Sequence, residues 1–304
     1  MKAEATGRIA GLVLDLRSNP GGSLAEAVAR ALLGRRGIEV SPERIVVVPG
    51  GKVTMFFAIL MFGEPGVEIL YPNPGFPIYQ SVIEFSGATA VATPLLEDRD
   101  FSFDADAVLE QITPRTRLLI LNSPANPTGG AVPKEEIDRF VTWLAKHPHV
   151  SVVSDEIYSR IAYDGRAHVS LLAYPELADR LILLDGWSKS YAMTGWSLGY
   201  GVWPAAWVEG ATRLAINSYS CVNALAQYAG IAALQGPQDS VEAMRVALDE
   251  RRRVIFAALD KLPGVSCVEP WGAFYAMPNI TGTGMRAREA AHRLLEEAGV
   301  AAIA

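Results

Sequence analysis

Cysteine is nearly absent from this chain. Cys221 and Cys267 lie too far apart for a disulfide framework or a thiolate metal site, and four histidines are scattered without ligand spacing, so neither a stapled secreted fold nor a metal centre is expected. Dense basic runs are missing too. The 27 basic residues stand against 33 acidic ones, a net charge of −6, which argues against nucleic acid as a partner. The one basic cluster, Arg251-Arg252-Arg253, falls in a helical pattern and reads as a solvated helix face. Long apolar runs are also lacking. Gly11-Leu12-Val13-Leu14 is stopped by Asp15 behind a single N-terminal lysine, so no signal peptide or membrane span is expected and a reducing cytoplasm fits. No repeat or low-complexity stretch interrupts the chain.

What the chain does have is apolar content in short, regular pieces. Half of its 304 residues are hydrophobic, enough for one large core and a smaller domain, which makes a globular α/β enzyme the default. Short β-branched or leucine-rich runs at 45–48, 67–70, 89–93, 117–122, 150–154, 181–185 and 197–203 alternate with helical patterns. That alternation predicts a three-layer α/β fold, with a seven-stranded, mostly parallel sheet covered by helices on both faces. Pro133 with Glu135 and Glu136 opens a helix running to about Lys146, and Pro204 opens another near Ala205. After Gly236-Pro237 the register changes to a helical stretch over 241–262 followed by strand-like pieces at 264–268 and 273–277. This reads as a partial smaller α+β domain at 237–304, following a large domain at 32–236.

Residues 1–31 read as an atypical N-terminal segment. A strand and a tight turn, Gly11 to Gly22, precede a helix begun by the capping box Ser23-Leu24-Ala25-Glu26. The dodecapeptide resembles a segment of the carboxyl-terminal processing serine proteases. Those enzymes carry their nucleophilic serine and its lysine base well beyond that segment, and no such pair follows here, so the stretch is taken as a structural or fused piece.

Three motifs carry the chemistry. They are Asn122-Ser123-Pro124-Ala125-Asn126-Pro127-Thr128-Gly129, Ser154-Asp155-Glu156-Ile157-Tyr158, and Asp185-Gly186-Trp187-Ser188-Lys189-Ser190-Tyr191-Ala192-Met193-Thr194-Gly195-Trp196. Each follows an apolar run, so an amide, a carboxylate with a phenol, and an amine should converge outside the carboxyl ends of parallel strands, where ligands sit. That is the equipment for an aldehyde cofactor, pyridoxal 5'-phosphate. Lys189, in a turn rich in Gly, Ser and Trp with Ser188 beside it as a further candidate contact, would form an imine and move protons. Asp155 ends a strand, so its buried carboxylate needs a positive partner, which a protonated pyridine nitrogen would be. Tyr158 and Asn126 can both hydrogen-bond the cofactor phenolate. Pro49-Gly50-Gly51-Lys52 lies between a strand and a helix, where Gly51 and Lys52 amides could cradle a phosphate. The rigid loop Tyr71-Pro72-Asn73-Pro74-Gly75-Phe76-Pro77-Ile78-Tyr79 could hold Phe76 flat over the ring.

With these motifs in this order, residues 32–304 resemble the class I/II aminotransferases of fold type I, the aspartate aminotransferase superfamily. The resemblance implies amino-group transfer between an amino acid and a 2-oxo acid by a homodimer with its site at the subunit interface. It makes Lys189 the Schiff-base lysine and proton shuttle, Asp155 the pyridine partner, Asn126 and Tyr158 the phenolate partners, Phe76 the stacking ring, and Gly51-Lys52 backbone phosphate contacts. Departures from the family are visible. Its usual Thr-Gly-Trp-Arg, whose arginine pairs with the phosphate, is here Thr194-Gly195-Trp196-Ser197. A contact of about 1.5–3 kcal/mol is replaced by a hydroxyl, which predicts cofactor binding about tenfold weaker or more. Trp271 stands where a small residue is common, so a distorted turn is expected there. The family's N-terminal segment that closes over substrate and its late arginine for the α-carboxylate are not visible, which predicts impaired transamination. Two other readings share these residues: a pyridoxal phosphate-dependent β-lyase or racemase, and a degenerate, non-catalytic aminotransferase domain.

Overall fold

In the computed structural model, which describes residues 22–303, the apolar runs become strands whose alternate residues feed different layers. The chain runs α1 (Gly22–Arg36), β1 (Ile45–Val48), α2 (Lys52–Phe62), β2 (Glu68–Asn73), α3 (Ile78–Phe85), β3 (Thr89–Pro94), α4 (Ala105–Glu110), β4 (Thr116–Asn122) and α5 (Lys134–Leu144). It continues through β5 (Ser151–Asp155), β6 (Leu181–Gly186), β7 (Gly199–Val202), α6 (Val208–Ser218), α7 (Ala224–Gln235), α8 (Asp239–Leu259), β8 (Ser266–Cys267), β9 (Pro278–Asn279) and α9 (Ala287–Ala298).

Seven strands form one sheet in the order β1-β7-β6-β5-β4-β2-β3. All pairs are parallel except the two made by β7. Val46, Val48, Ile69, Ile120, Val153 and Ile182 pack on one face against α2, α3 and α6. On the other face Leu119, Leu121 and Val152 meet α4 and α5, while Ile45, Val47 and Leu183 meet α1 and α7. The result is the expected three-layer architecture, a seven-stranded, mostly parallel sheet covered by helices on both faces. Strand order reverses between β2 and β4, since β2 leads outward to β3 whereas β4 leads to β5 and β6. A crevice therefore opens outside the carboxyl ends of these strands, where the loops diverge.

Several local expectations need correction. The helix expected from Ser23 begins at Gly22, and it is no separate appendage: Leu24, Ala25, Val28 and Leu32 are buried in the core, so the expected boundary at 31 runs through α1. The strand and turn expected at 11–21 lie outside the described residues. The seventh strand begins at Gly199 rather than 197 because Ser197 adopts a left-handed φ of 49°, which extended pairing does not permit. Residues 273–277 are not a strand, because Ala273 is left-handed at φ 57°; the short ladder partner of β8 is β9 instead. Arg251 and Arg253 are exposed, but Arg252 is buried at 5% and ion-paired to Asp249 at 2.7 Å and Asp164 at 2.9 Å. The cluster is thus only partly a solvated face, and its middle residue pins α8 to the loop after β5. Among the described residues no helix is long and apolar enough to cross a membrane.

Candidate active site

Asp155 is the last residue of β5, and its side chain is buried with no cation among the described residues. Tyr79 Oη donates to its Oδ2 at 2.7 Å and the Ile157 amide to its Oδ1 at 3.2 Å. Burial pushes the carboxyl up from 3.8 to about 6; those two bonds oppose the rise, and the nearby charges of Asp185 and Glu156 add to it. A desolvated carboxylate held by two neutral donors has room in its chemistry for a positive partner.

The neighbouring strands bring the other groups to the same edge. At the end of β4, Asn122 Nδ2 donates to the Asp155 carbonyl at 3.0 Å, and its Oδ1 accepts the Asn126 amide at 2.8 Å. Asn126 is half-buried, and its side-chain amide makes no protein hydrogen bond among the described residues. Three residues beyond Asp155, Tyr158 is buried, and its hydroxyl lies 2.6 Å from that of Tyr275. Burial first, then that bond, pushes the Tyr158 phenol far up, so it stays protonated and able to donate.

Lys189 follows β6 in a turn and is half-buried, its Nζ 5.7 Å from the centre of the exposed Phe274 ring. Ala192 and Ser197 in this turn both take positive φ, 52° and 49°, costing about 1 kcal/mol each. Thr194 Oγ1 donates to the Ser188 carbonyl at 2.9 Å and closes the turn. Strain held in place this way is common where a reactive side chain must be presented.

A glycine-lined cradle lies at the start of α2. Gly50 has φ 93°, and Gly51 caps the helix with no side-chain bond to its amides. A Cβ at Gly51 would come within 2.9 Å of Leu184, and one at Gly199 would strike the Gly51 backbone. Only glycines let the α2 N-terminus sit on β6 and β7, and such an N-terminus attracts an anion. Lys52 is exposed, with Nζ 5.7 Å from the Phe76 ring, while Phe76 is half-buried and meets Tyr79 edge-on at 5.8 Å. Ser197 is exposed, with no side-chain hydrogen bond among the described residues. The turn at Trp271 is intact: its amide donates to the Gly129 carbonyl at 2.8 Å, and the Arg166 guanidinium covers its ring at 3.8 Å.

The structure thus places Asn126, Asp155, Tyr158 and Lys189 beyond the ends of β4, β5 and β6, with the Gly51 cradle and Phe76 on adjacent loops. Sequence reasoning missed Tyr79, Tyr275 and Phe274. Tyr79 stood in a motif already singled out, and the other two sit in Gly272-Ala273-Phe274-Tyr275; no local pattern joins either to its partner. These residues fit pyridoxal phosphate: a carboxylate with no cation among the described residues for the ring nitrogen, phenol and amide donors, an amine, and an anion cradle a Cβ would fill.

Comparison with known proteins agrees. The family model of class I and II aminotransferases matches residues 19–304. The chain is 36% identical over 287 residues to an aspartate aminotransferase of Geobacillus stearothermophilus, covering 92% of this chain and 73% of the relative. It is 35% identical over 267 residues to the aspartate aminotransferase of Bacillus subtilis, covering 86% and 67%. A crystal structure of an aromatic aminotransferase from Pyrococcus horikoshii superposes with a TM-score of 0.89 at 32% identity, covering 94% of this chain and 76% of that one.

Proposed function

Because this chain belongs to the class I and II aminotransferases, which use pyridoxal 5'-phosphate to move an amino group between an amino acid and a 2-oxo acid, we propose that Lys189, Asp155, Tyr158 and Asn126 carry that reaction here. The observation that carries the assignment is Asp155, a buried carboxylate with no cation partner among the described residues, at the strand end beside the Lys189 turn. Bound there, the cofactor supplies an aldehyde to hold the amino group and a ring that draws electrons from the substrate α-carbon.

The chain's own side chains do the rest. Asp155 keeps a proton on the ring nitrogen by pairing with it. Lys189, with no acidic partner among the described residues, would bond the aldehyde with loss of water and, once the substrate's amine has displaced it, would carry a proton to and from the α-carbon. Tyr158 Oη and Asn126 Nδ2 donate toward the phenolate. The Gly51 and Lys52 amides, Ser188 and the α2 N-terminus would hold the phosphate, and Phe76 would pack against the ring. A homodimer in the cytoplasm, with substrates held at the subunit interface, belongs to the same proposal and rests on the family resemblance; sedimentation showing only monomer would count against it. Nothing in the comparisons favours the β-lyase or racemase reading.

The test is Lys189→Ala, with pyridoxal phosphate titrated into both chains and aspartate and aromatic donors assayed. The unsubstituted chain should develop the visible band of lysine-bound cofactor, and an amino acid should bleach it. The variant should lose the band and transaminase activity by about a thousandfold or more. A band that persists in the variant would overturn the lysine assignment.

A further inference from the structure

The last residue of α1 reaches the back of the cofactor site. Arg36 Nη1 donates to Glu156 Oε2 at 2.6 Å and to Ser170 Oγ at 3.3 Å. Its Nη2 donates to Asp185 Oδ2 at 2.7 Å and to Ser159 Oγ at 2.8 Å. Glu156 is the neighbour of Asp155 in the chain, and Asp185 stands four residues before Lys189 near the end of β6. One planar fork therefore joins the ends of the two strands that present the two central groups of the site. Lysine, a single point donor on a flexible stem, could not span both carboxylates in this way.

Charge points in the same direction. Asp155, Glu156 and Asp185 are all buried within this small volume. The titratable groups facing them are Arg36 from α1, His168, Tyr158 and Arg160 from the loop after β5, Tyr200 from β7, Tyr79 from α3 and Tyr275 from the loop between β8 and β9. Among the described residues Arg36 is the one cation that touches both Glu156 and Asp185. If its charge were lost, Asp185 would have no ion-pair partner among the described residues and Glu156 only His168, so both carboxylates would bear more heavily on Asp155, and a proton on Asp155 would become the cheapest relief. A protonated Asp155 cannot pair with a protonated pyridine nitrogen.

We propose that Arg36 is a positioning residue for the cofactor, acting through Glu156 and Asp185 to fix the strand ends bearing Asp155 and Lys189 and to keep Asp155 anionic. This rests on the Asp155 and Lys189 assignments above.

The experiment titrates pyridoxal phosphate into the unsubstituted chain, Arg36→Met, Arg36→Lys, and Arg36→Met combined with Asp185→Asn. It reads affinity, the pH midpoint of the visible band, and folding by circular dichroism. The unsubstituted chain is read first, because the absence of a band there defeats the cofactor assignment rather than the role of Arg36. Arg36→Met should stay folded, bind about tenfold to a hundredfold more weakly, and shift the midpoint. Arg36→Lys should fall between, and adding Asp185→Asn to Arg36→Met should recover part of the affinity by removing one unbalanced charge. If Arg36→Met does not fold, Arg36→Lys decides alone: weaker binding with a shifted midpoint supports the proposal, and unchanged values overturn it. The proposal also fails if folded Arg36→Met matches the unsubstituted chain, or if affinity is lost with an unmoved midpoint and no recovery from Asp185→Asn.

Discussion

Asp155 and Glu156 are consecutive, both buried, and face opposite environments. Asp155 meets a phenol and a backbone amide, and burial lifts its carboxyl to about 6. Burial alone would lift Glu156 as well, but His168 and Arg36 override it and hold that carboxyl at about 2. Glu156 also accepts from Ser154 at 2.9 Å, Ser170 at 3.0 Å and the Leu171 amide at 3.1 Å. One carboxylate is finished by the fold, and the other is left for a ligand to finish. One dipeptide serves both ends because Asp155 is the last residue of β5 while Glu156, the first residue past it, shares the side of Ser154, whose hydroxyl it accepts. The difference separates the carboxylate the fold completes from the one proposed to take the cofactor more sharply than burial, which is the same for both.

The largest break in this contrast should come from Asp155→Asn. Removing the ring's counter-charge should lower transaminase activity by roughly a hundredfold to ten-thousandfold. In cofactor-free protein the same change should stabilise. A carboxyl raised from 3.8 to about 6 disfavours the folded state increasingly as pH climbs through that window, and fully above it. The asparagine variant should therefore be more stable by about 3 kcal/mol at neutral pH and equal in stability below the window. Urea melts at two pH values check this; equal stability at neutral pH would show that Asp155 carries no such burden.

Glu156→Gln should move stability the other way. Its carboxyl is lowered from 4.5 to about 2, so its contribution is present above the higher value and lost as pH falls through the lower. The glutamine variant should lose about 3 kcal/mol at neutral pH, leaving Arg36 and His168 short of an acceptor. Urea melts that leave the midpoint in place would mean the network adds nothing net.

What could be read in advance follows this same division. The position of Lys189, Asp155 and Asn126 at or beyond strand ends was legible because each sits in a local motif after a strand, and strand ends meet in a parallel sheet whatever the remaining chain does. All seven strands were legible for a related reason: their patterns are short and periodic. The Glu156 side was not. Arg36 lies 120 residues from Glu156 and 149 from Asp185, and no spacing in the sequence joins them. The helix that carries Arg36 was divided at residue 31, because the dodecapeptide Gly11 to Gly22 resembles another family and nothing local ties Leu24, Val28 and Leu32 to the core that buries them. Arg252 was misread for the same reason, since its partner Asp164 is 88 residues away.

The smallest and most specific test is Tyr79→Phe. Tyr79 lies 76 residues before Asp155, is fully buried, and spends its hydroxyl on that carboxylate. The bond favours the ionised form, so its loss should raise the Asp155 carboxyl above about 6. Cofactor pairing needs the ionised form, so affinity for pyridoxal phosphate should fall as pH drops through the free chain's value, and the break should move to higher pH in the variant. At neutral pH the loss should be about threefold to tenfold, the size of one hydrogen bond to a charged group partly offset by water or a shifted neighbour. An unmoved break would mean that Tyr79 fills space behind Asp155 without setting its charge, and the contrast between the two carboxylates would then rest on Glu156 alone.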